Sequence, residues 1–132
     1  MKNYKVCVVG AGNWGRNHIR TLDSLKSLGG VVEKDKLVIE KLKIDYPECK
    51  FYDNLNDALD QGFDGFTIAT PPAFHFHDAK KIIGSGFHVL VEKPLTLNKQ
   101  DAQELCDLAK QNGINLMVGH LLLFHPAFTK IK

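Results

Sequence analysis

The stretch VVGAGNWGRNH, residues 8 to 18, carries the pattern Gly10-x-Gly12-x-x-Gly15 between an apolar run and a polar segment. In a strand–turn–helix unit with this spacing, each glycine has its own mechanical use. Gly10 allows the tight turn, Gly12 lets a diphosphate approach bare backbone, and Gly15 lets the helix pack closely on the strand. The free N–H groups at the start of the helix then face the phosphates. The stretch predicts a dinucleotide site, although glycines used for packing alone would give the same pattern.

The rest of the chain alternates short apolar runs with amphipathic segments. We predict helices between strands at 4–10, 29–33, 50–53, 63–70, 87–92 and 114–120. Repeated alternation of strand and helix is typical of an α/β fold, a doubly wound parallel sheet with helices on both faces. Because no linker or repeat interrupts the pattern, we assign residues 1–120 to one Rossmann-type dinucleotide-binding domain.

Apolar spacing predicts which side of each helix is buried. The helix after the glycine pattern should turn its apolar residues inward, and so should the helix that Asn98 caps and Gly113 closes. The inward residues of these two helices are predicted to be Ile19, Leu22, Leu25, Ala102, Leu105, Cys106 and Ala109.

Three further residues are candidates for cofactor contact. Asn13 and Trp14 fill the variable places of the glycine loop and are predicted to line the diphosphate, with a capping and a packing role as the alternative. Glu33 ends the second strand about 20 residues on, where an acid holds the ribose hydroxyls. Its carboxylate would repel a 2′-phosphate, so we expect NAD rather than NADP. Lys34 and Lys36 near it weaken that preference, and Asp35 is the alternative acid.

Composition limits the classes of function. The formal net charge is +2 and the only arginines are Arg16 and Arg20, which argues against nucleic-acid binding. No apolar run approaches the roughly 18 residues of a membrane span, and we expect no membrane association. The three cysteines are far apart and form no CxxC pair, and Cys7 and Cys106 are interpreted as core residues. A reducing cytoplasm is therefore the predicted location.

Three predicted strands end in residues that are expensive to bury. They are Thr70-Pro71-Pro72, Glu92-Lys93-Pro94 and Gly119-His120. The carboxyl ends of parallel strands meet at one edge, where ligands bind in open α/β sheets. We therefore expect these segments to form a cleft, and His120 is a further candidate for contact with cofactor or substrate.

Four segments, in this order and spacing, carry a resemblance that covers essentially the entire chain. The chain resembles the N-terminal domain of the glucose–fructose oxidoreductase and inositol dehydrogenase family (Gfo/Idh/MocA). The segments are VVGAGNWGRNH (8–18), ATPPAFH (69–75), HVLVEKPL (88–95) and MVGHLLLFHPA (117–127). The Glu-Lys-Pro triplet is the most specific of them.

The resemblance implies a sugar or polyol dehydrogenase that moves a hydride between a ring carbon and nicotinamide. Lys93 matches the family's catalytic lysine, which reaches the reacting hydroxyl and the nicotinamide ribose. Glu92 matches the acid on the nicotinamide side of the cofactor. Thr70, Pro71 and His75 match the loop that passes along the dinucleotide.

The resemblance also implies parts that lie outside these 132 residues. The family has a second, mainly antiparallel domain that binds the sugar, supplies a catalytic histidine and supports homo-oligomers. We interpret residues 121–132 as the start of the connection to that domain, and we expect little turnover from this chain alone. The GHLLLFHP segment, with Leu123 where an arginine is frequent, is similar to the branch that acts on nucleotide-linked sugars.

Other interpretations remain open from the sequence. A non-catalytic NAD(H)-binding module or redox sensor would keep the cofactor motifs but leave Lys93 without a use. The histidine pairs 75/77 and 120/125 have no accompanying cysteine or acid set, so we predict no metal site. His18 and His88 are interpreted as structural.

Overall fold

The computed structural model describes residues 2–131, which form a six-stranded parallel sheet. The strands are β1 (Val6–Val9), β2 (Leu28–Val32), β3 (Lys50–Tyr52), β4 (Gly65–Ile68), β5 (His88–Val91) and β6 (Leu116–Val118). Their order across the sheet is β3-β2-β1-β4-β5-β6, so the direction of winding reverses between β1 and β4. This is the Rossmann strand order, and the predicted doubly wound parallel sheet is confirmed.

Helices connect the strands. They are α1 (Asn13–Ser24), α2 (Lys36–Asp45), α3 (Leu55–Leu59), α4 (Pro72–Gly84), α5 (Lys99–Gln111) and α6 (Pro126–Ile131), with a 3₁₀ turn at Leu121–Phe124. Asn98 caps α5 by accepting from the Asp101 N–H, and Gly113 follows that helix with φ of 64°. Asp35 caps α2 in the same way, accepting from Leu37 and Val38. The Lys93–Pro94 peptide is cis.

The sheet is covered on both faces, as apolar runs in parallel strands indicate. On one face, Cys7, Val9 and Ile68 pack with Ile82 of α4 and Leu105 of α5. On the other face, a smaller group packs against α1 and α2, made up of Val8, Ala11, Ile19, Val31 and Leu42. Neighbouring residues of β1 thus belong to opposite cores, which fixes the sheet between its two helical layers.

Two predicted core residues are wrong. Leu25 is 63% exposed because α1 ends at Ser24 and the chain reverses at Lys26, where φ is 58°. Cys106 is also exposed, since the buried side of α5 is formed by Leu105 and Ala109. Five of the six strands are shorter than predicted, and β2 keeps its length but lies one residue earlier, so Thr70 and His120 lie in loops beyond β4 and β6.

Two of the three cysteines have raised thiol pKa values. Burial raises the pKa of the Cys7 thiol, and burial raises that of half-buried Cys49 to about 12. Both groups are therefore held as neutral thiols. No helix within residues 2–131 is both long and apolar enough to cross a membrane.

Candidate cofactor and active site

A cavity of about 840 Å³ opens at the carboxyl ends of the central strands. Its walls are the loops that follow β1, β2, β4 and β5, together with the first turns of α4. This is the crevice at the reversal of winding where ligands bind in doubly wound sheets. Most of the predicted site residues line it: Gly10, Gly12, Trp14, Glu33, Thr70, Pro71, Glu92 and Lys93.

The glycine loop forms the floor of the cavity beside β1. Gly10 has φ of 95°, a conformation that L side chains rarely adopt. A Cβ at Gly15 would overlap the carbonyl oxygen of Gly10, so only glycine lets α1 approach β1 this closely. A Cβ at Gly12 would meet nothing within 4 Å and would project into open space. The requirements for glycine at positions 10 and 15 therefore come from the fold. Gly12, in contrast, leaves room for a ligand.

Helix α1 presents an uncapped N-terminus to this loop. Gly12 is its N-cap, no side chain caps the first turn, and no acidic residue lies there. The free N–H groups and the helix dipole together favour a bound anion. Trp14 in this turn is 52% exposed and lines the cavity, while Asn13 is exposed outside it.

Glu33 lies directly after β2 and connects two loops. Its Oε2 accepts a 2.8 Å hydrogen bond from the Ala11 N–H, and its Oε1 accepts one of 3.0 Å from the Asp35 N–H. The alternative acid, Asp35, is used as the cap of α2. Because each carboxylate oxygen has a second lone pair, Glu33 keeps acceptor capacity toward the cavity.

The loop after β4 supplies a polar atom with no partner. Thr70 Oγ1 is buried and forms no hydrogen bond within residues 2–131. Buried hydroxyls are normally hydrogen-bonded, and an exception needs an explanation. Because Thr70 lines the cavity next to the glycine loop, a polar ligand there would satisfy it. The open space at Gly12, the uncapped α1 and this orphaned hydroxyl together fit a dinucleotide.

Glu92 and Lys93 follow β5 at the opposite wall. Glu92 is 7% exposed, and its Oε1 lies 2.7 Å from Nε2 of His18 on α1. Lys93 is exposed and lines the cavity, and no ion pair engages its ammonium group within the described residues. A buried acid and an unpaired ammonium thus stand side by side at one end of the cavity.

Four predicted site residues do not line the cavity: Asn13, Gly15, His75 and His120. His75 is 1% exposed, and its Nδ1 and Nε2 lie 2.7 Å from the carbonyl oxygens of Pro94 and Thr70. Carbonyl oxygens only accept, so His75 is the donor in this arrangement. His75 therefore connects the loops that carry Thr70 and Pro94 and lies outside the cavity lining. His120 is exposed beyond β6.

One helical face of the site was missed by sequence reasoning. Phe74, His77, Asp78 and Lys81 line the cavity at the i, i+3, i+4 and i+7 positions of α4. Residues with that spacing share one face of a helix. The spacing could have predicted this face as part of the site, because α4 follows a strand that ends at the cavity. The ammonium of Lys34, after β2, lies 5.7 Å from the ring centroid of Phe74 and so reaches α4.

The pKa of Asp78, on this face of α4, is raised. Desolvation raises the pKa of its carboxyl group above the ordinary value of 3.8, although His77, Lys34, Lys81 and His75 oppose the rise. Burial thus outweighs the surrounding positive charge.

Within residues 2–131, no group of three or more histidine, cysteine or acidic residues is arranged to hold a metal ion.

Comparison with known proteins agrees with this geometry. The model of the oxidoreductase family with an NAD-binding Rossmann fold, Gfo/Idh/MocA, matches residues 4–120. The chain belongs to this family. The predictions of the family and of an NAD-binding Rossmann domain are therefore confirmed.

Known proteins match the chain along nearly its whole length. The chain is 29% identical over 132 residues to the UDP-N-acetylglucosamine 3-dehydrogenase of Acidithiobacillus ferrooxidans, covering 100% of this chain and 42% of the relative. It is 27% identical over 135 residues to the rhizopine catabolism protein MocA of Rhizobium meliloti, with shares of 100% and 42%. The crystal structure of GenD2 from gentamicin A biosynthesis, in complex with NAD, superposes with a TM-score of 0.91 at 32% identity. The alignment covers 98% of this chain and 38% of GenD2, so the chain spans about two-fifths of the length of these relatives.

Proposed function

We propose that the cavity binds NAD(H) and that Lys93 takes part in hydride transfer between a sugar ring carbon and the nicotinamide. The observation that carries the proposal is the arrangement of the cavity. An anion site at the start of α1 and the acid Glu33 lie on one side, and an unpaired lysine lies on the other. Such a separation of charges suits a molecule with a central diphosphate and a reactive ring at one end.

The diphosphate would lie over Gly12 and the first turn of α1. Gly12 offers open space to a close-lying ligand, and the helix terminus offers unpaired N–H donors. Thr70, whose hydroxyl has no partner within residues 2–131, would supply a further hydrogen bond from the opposite loop.

The adenosine ribose would lie against Glu33. Both oxygens of this carboxylate are fixed by backbone N–H groups, so the acid cannot swing aside for a 2′-phosphate. Its remaining lone pairs suit ribose hydroxyls, and we therefore favour NAD over NADP. Lys34 and Lys81 line the same part of the cavity and reduce this preference.

NAD, when bound, supplies the acceptor for the hydride. Lys93 would place its ammonium against the substrate oxygen, where a donated hydrogen bond stabilises the negative charge that develops as the hydroxyl proton passes to a base outside these residues, the catalytic histidine that the family resemblance implies. An ammonium without an internal ion pair is free to adopt this position. The proposed catalytic role needs only that Lys93 and the substrate meet at the same mouth of the cavity.

The proposed substrate is a nucleotide-linked sugar oxidised at ring carbon 3. The support is the similarity of the whole chain to a UDP-N-acetylglucosamine 3-dehydrogenase. The chain spans about two-fifths of the length of that relative. We propose that catalytic turnover takes place in a longer, homo-oligomeric protein that includes residues 1–132.

Titration of the chain with NADH and NADPH, followed by nicotinamide fluorescence, tests the cofactor proposal. We expect saturable binding with NADH tighter than NADPH, and Glu33→Gln should narrow the difference. In the longer protein, Lys93→Ala should lower kcat by about 100-fold, a typical share for acid–base assistance. It should leave NADH affinity within about threefold, the scale of a surface change. Lys99→Ala, at the exposed start of α5, is the matched control. No NADH binding, or full activity in Lys93→Ala, would contradict the proposal.

A further inference from the structure

Glu92 is an acid buried at the wall of the cavity. It follows β5, its main-chain N–H donates to the Ile68 carbonyl, and the residue is 7% exposed. A carboxylate in such a place is stable only when it is paired or hydrogen-bonded. The side chain that meets this need is His18, whose Nε2 lies 2.7 Å from Oε1.

His18 reaches Glu92 from a distant part of the chain. The two residues are 74 positions apart, and their side chains are 23% and 10% exposed. His18 follows Gly15 by one helical turn on α1, so the helix that begins beside the proposed diphosphate site also contacts the nicotinamide side. A short, partly buried bond from imidazole to carboxylate is among the stronger hydrogen bonds in proteins.

Gly119 limits the carboxylate from another direction. A Cβ at this position would lie 3.1 Å from Oε2 and 3.2 Å from both Cδ and Oε1 of Glu92. The glycine is buried, and its N–H donates to the Val91 carbonyl, which fixes it beside Glu92. The carboxylate is therefore confined between α1 and the end of β6.

Only one of the two oxygens of Glu92 is engaged. His18 occupies Oε1, and none of the side-chain hydrogen bonds formed within residues 2–131 ends at Oε2. Glu92 also lines the cavity. Its confinement leaves one carboxylate oxygen held in place as an acceptor at the end of the cavity where Lys93 lies.

We propose that His18 is a positioning residue for the nicotinamide half of the cofactor. By holding Oε1, it keeps Oε2 of Glu92 aimed at an N–H donor, and the carboxamide of nicotinamide carries such a donor. This inference rests on the proposed function and assigns a role to a histidine that the sequence indicated as structural. Without the bond from His18, the buried carboxylate would turn to another partner, and the fixed acceptor would be lost.

Two amide substitutions separate this role from a general contribution to the fold. In His18→Gln the side-chain N–H₂ extends to about the place of Nε2, so the bond to Glu92 is retained. In His18→Asn the amide is one methylene shorter, so the bond is broken while polarity is kept. ADP-ribose contains the adenosine and diphosphate but no nicotinamide, so it reports the other half of the cavity.

The test measures NAD⁺ and ADP-ribose affinities of the three chains by isothermal titration calorimetry. We expect His18→Asn to weaken NAD⁺ about tenfold, the equivalent of one hydrogen bond of about 1.4 kcal/mol. ADP-ribose affinity should stay within about twofold in both variants, and His18→Gln should hold NAD⁺ within about threefold. Thermal unfolding of each variant confirms that all three chains are folded.

Two results would overturn the role of His18. One is an equal loss of NAD⁺ and ADP-ribose affinity in His18→Asn, which would mark a purely structural residue. The other is unchanged NAD⁺ affinity in that variant. Failure of the unsubstituted chain to bind either ligand would instead refute the proposed function, so the two failures are distinguishable.

Discussion

The two ends of the cavity are held together over very different distances in the sequence. At the glycine-loop end, Gly15 packs against the carbonyl group of Gly10, which is five residues earlier. The Ala11 N–H donates a hydrogen bond to Glu33, 22 residues away. At the Glu92–Lys93 end, His18 reaches Glu92 across 74 residues. The first end is therefore specified by a local motif, whereas the second depends on the assembled sheet. Changes at the two ends should have different consequences for the fold and for binding.

The largest effect is expected within the glycine loop itself. Gly15→Ala places a methyl group on the Gly10 carbonyl oxygen, and we expect a loss of about 3 kcal/mol in the free energy of unfolding. Gly12→Ala is the matched change in open space and should leave that free energy within about 0.5 kcal/mol. Gly12→Ala should nevertheless weaken NADH binding.

Urea unfolding and NADH titration of both variants check this contrast. If Gly12→Ala bound NADH as well as the parent chain, the diphosphate would not lie over this residue. Equal destabilisation by the two substitutions would show that the loop is not divided into a structural and a ligand-facing glycine.

The second-largest effect is expected at His75, which connects the loops that carry Thr70 and Pro94. His75→Leu removes both ring nitrogens and leaves the carbonyls of Thr70 and Pro94 without these partners. We expect the free energy of unfolding to fall by about 2 kcal/mol, because unpaired buried acceptors are expensive. His77→Leu, two positions along α4 and exposed, should change it by less than about 0.5 kcal/mol. Equal effects in urea unfolding would argue against His75 as the connection.

The smallest effect concerns the α4 face between the two ends. Because desolvation raises the pKa of Asp78 above 3.8 in the folded chain, its ionised form lowers stability at neutral pH. Asp78→Asn should therefore raise Tm by about 2 °C at pH 7. The gain should disappear as the pH falls below 3.8, where the acid is neutral in both states. A gain that persisted at pH 3 would show that charge is not its cause.

The same contrast explains what could be predicted from the sequence. The Rossmann order, the glycine loop and the cavity position of Glu33 follow from short motifs and from the alternation of strand and helix. The partners of His18 and His75 could not be predicted, because a histidine in an amphipathic helix gives no indication of its partner. Those partners lie 74 and 19 residues away along the chain. Leu25 was placed in the core because apolar spacing continues past the point where α1 ends.

We propose that one dinucleotide spans both ends of the cavity. Titration of the isotope-labelled chain with NAD⁺, followed residue by residue through backbone amide NMR signals, tests this proposal. We expect saturable shifts at Gly12 and Glu33 and, with the same dissociation constant, at Lys93. ADP-ribose should reproduce the shifts at Gly12 and Glu33 but not the shift at Lys93. Shifts confined to one end with NAD⁺ would show that no single dinucleotide spans the cavity.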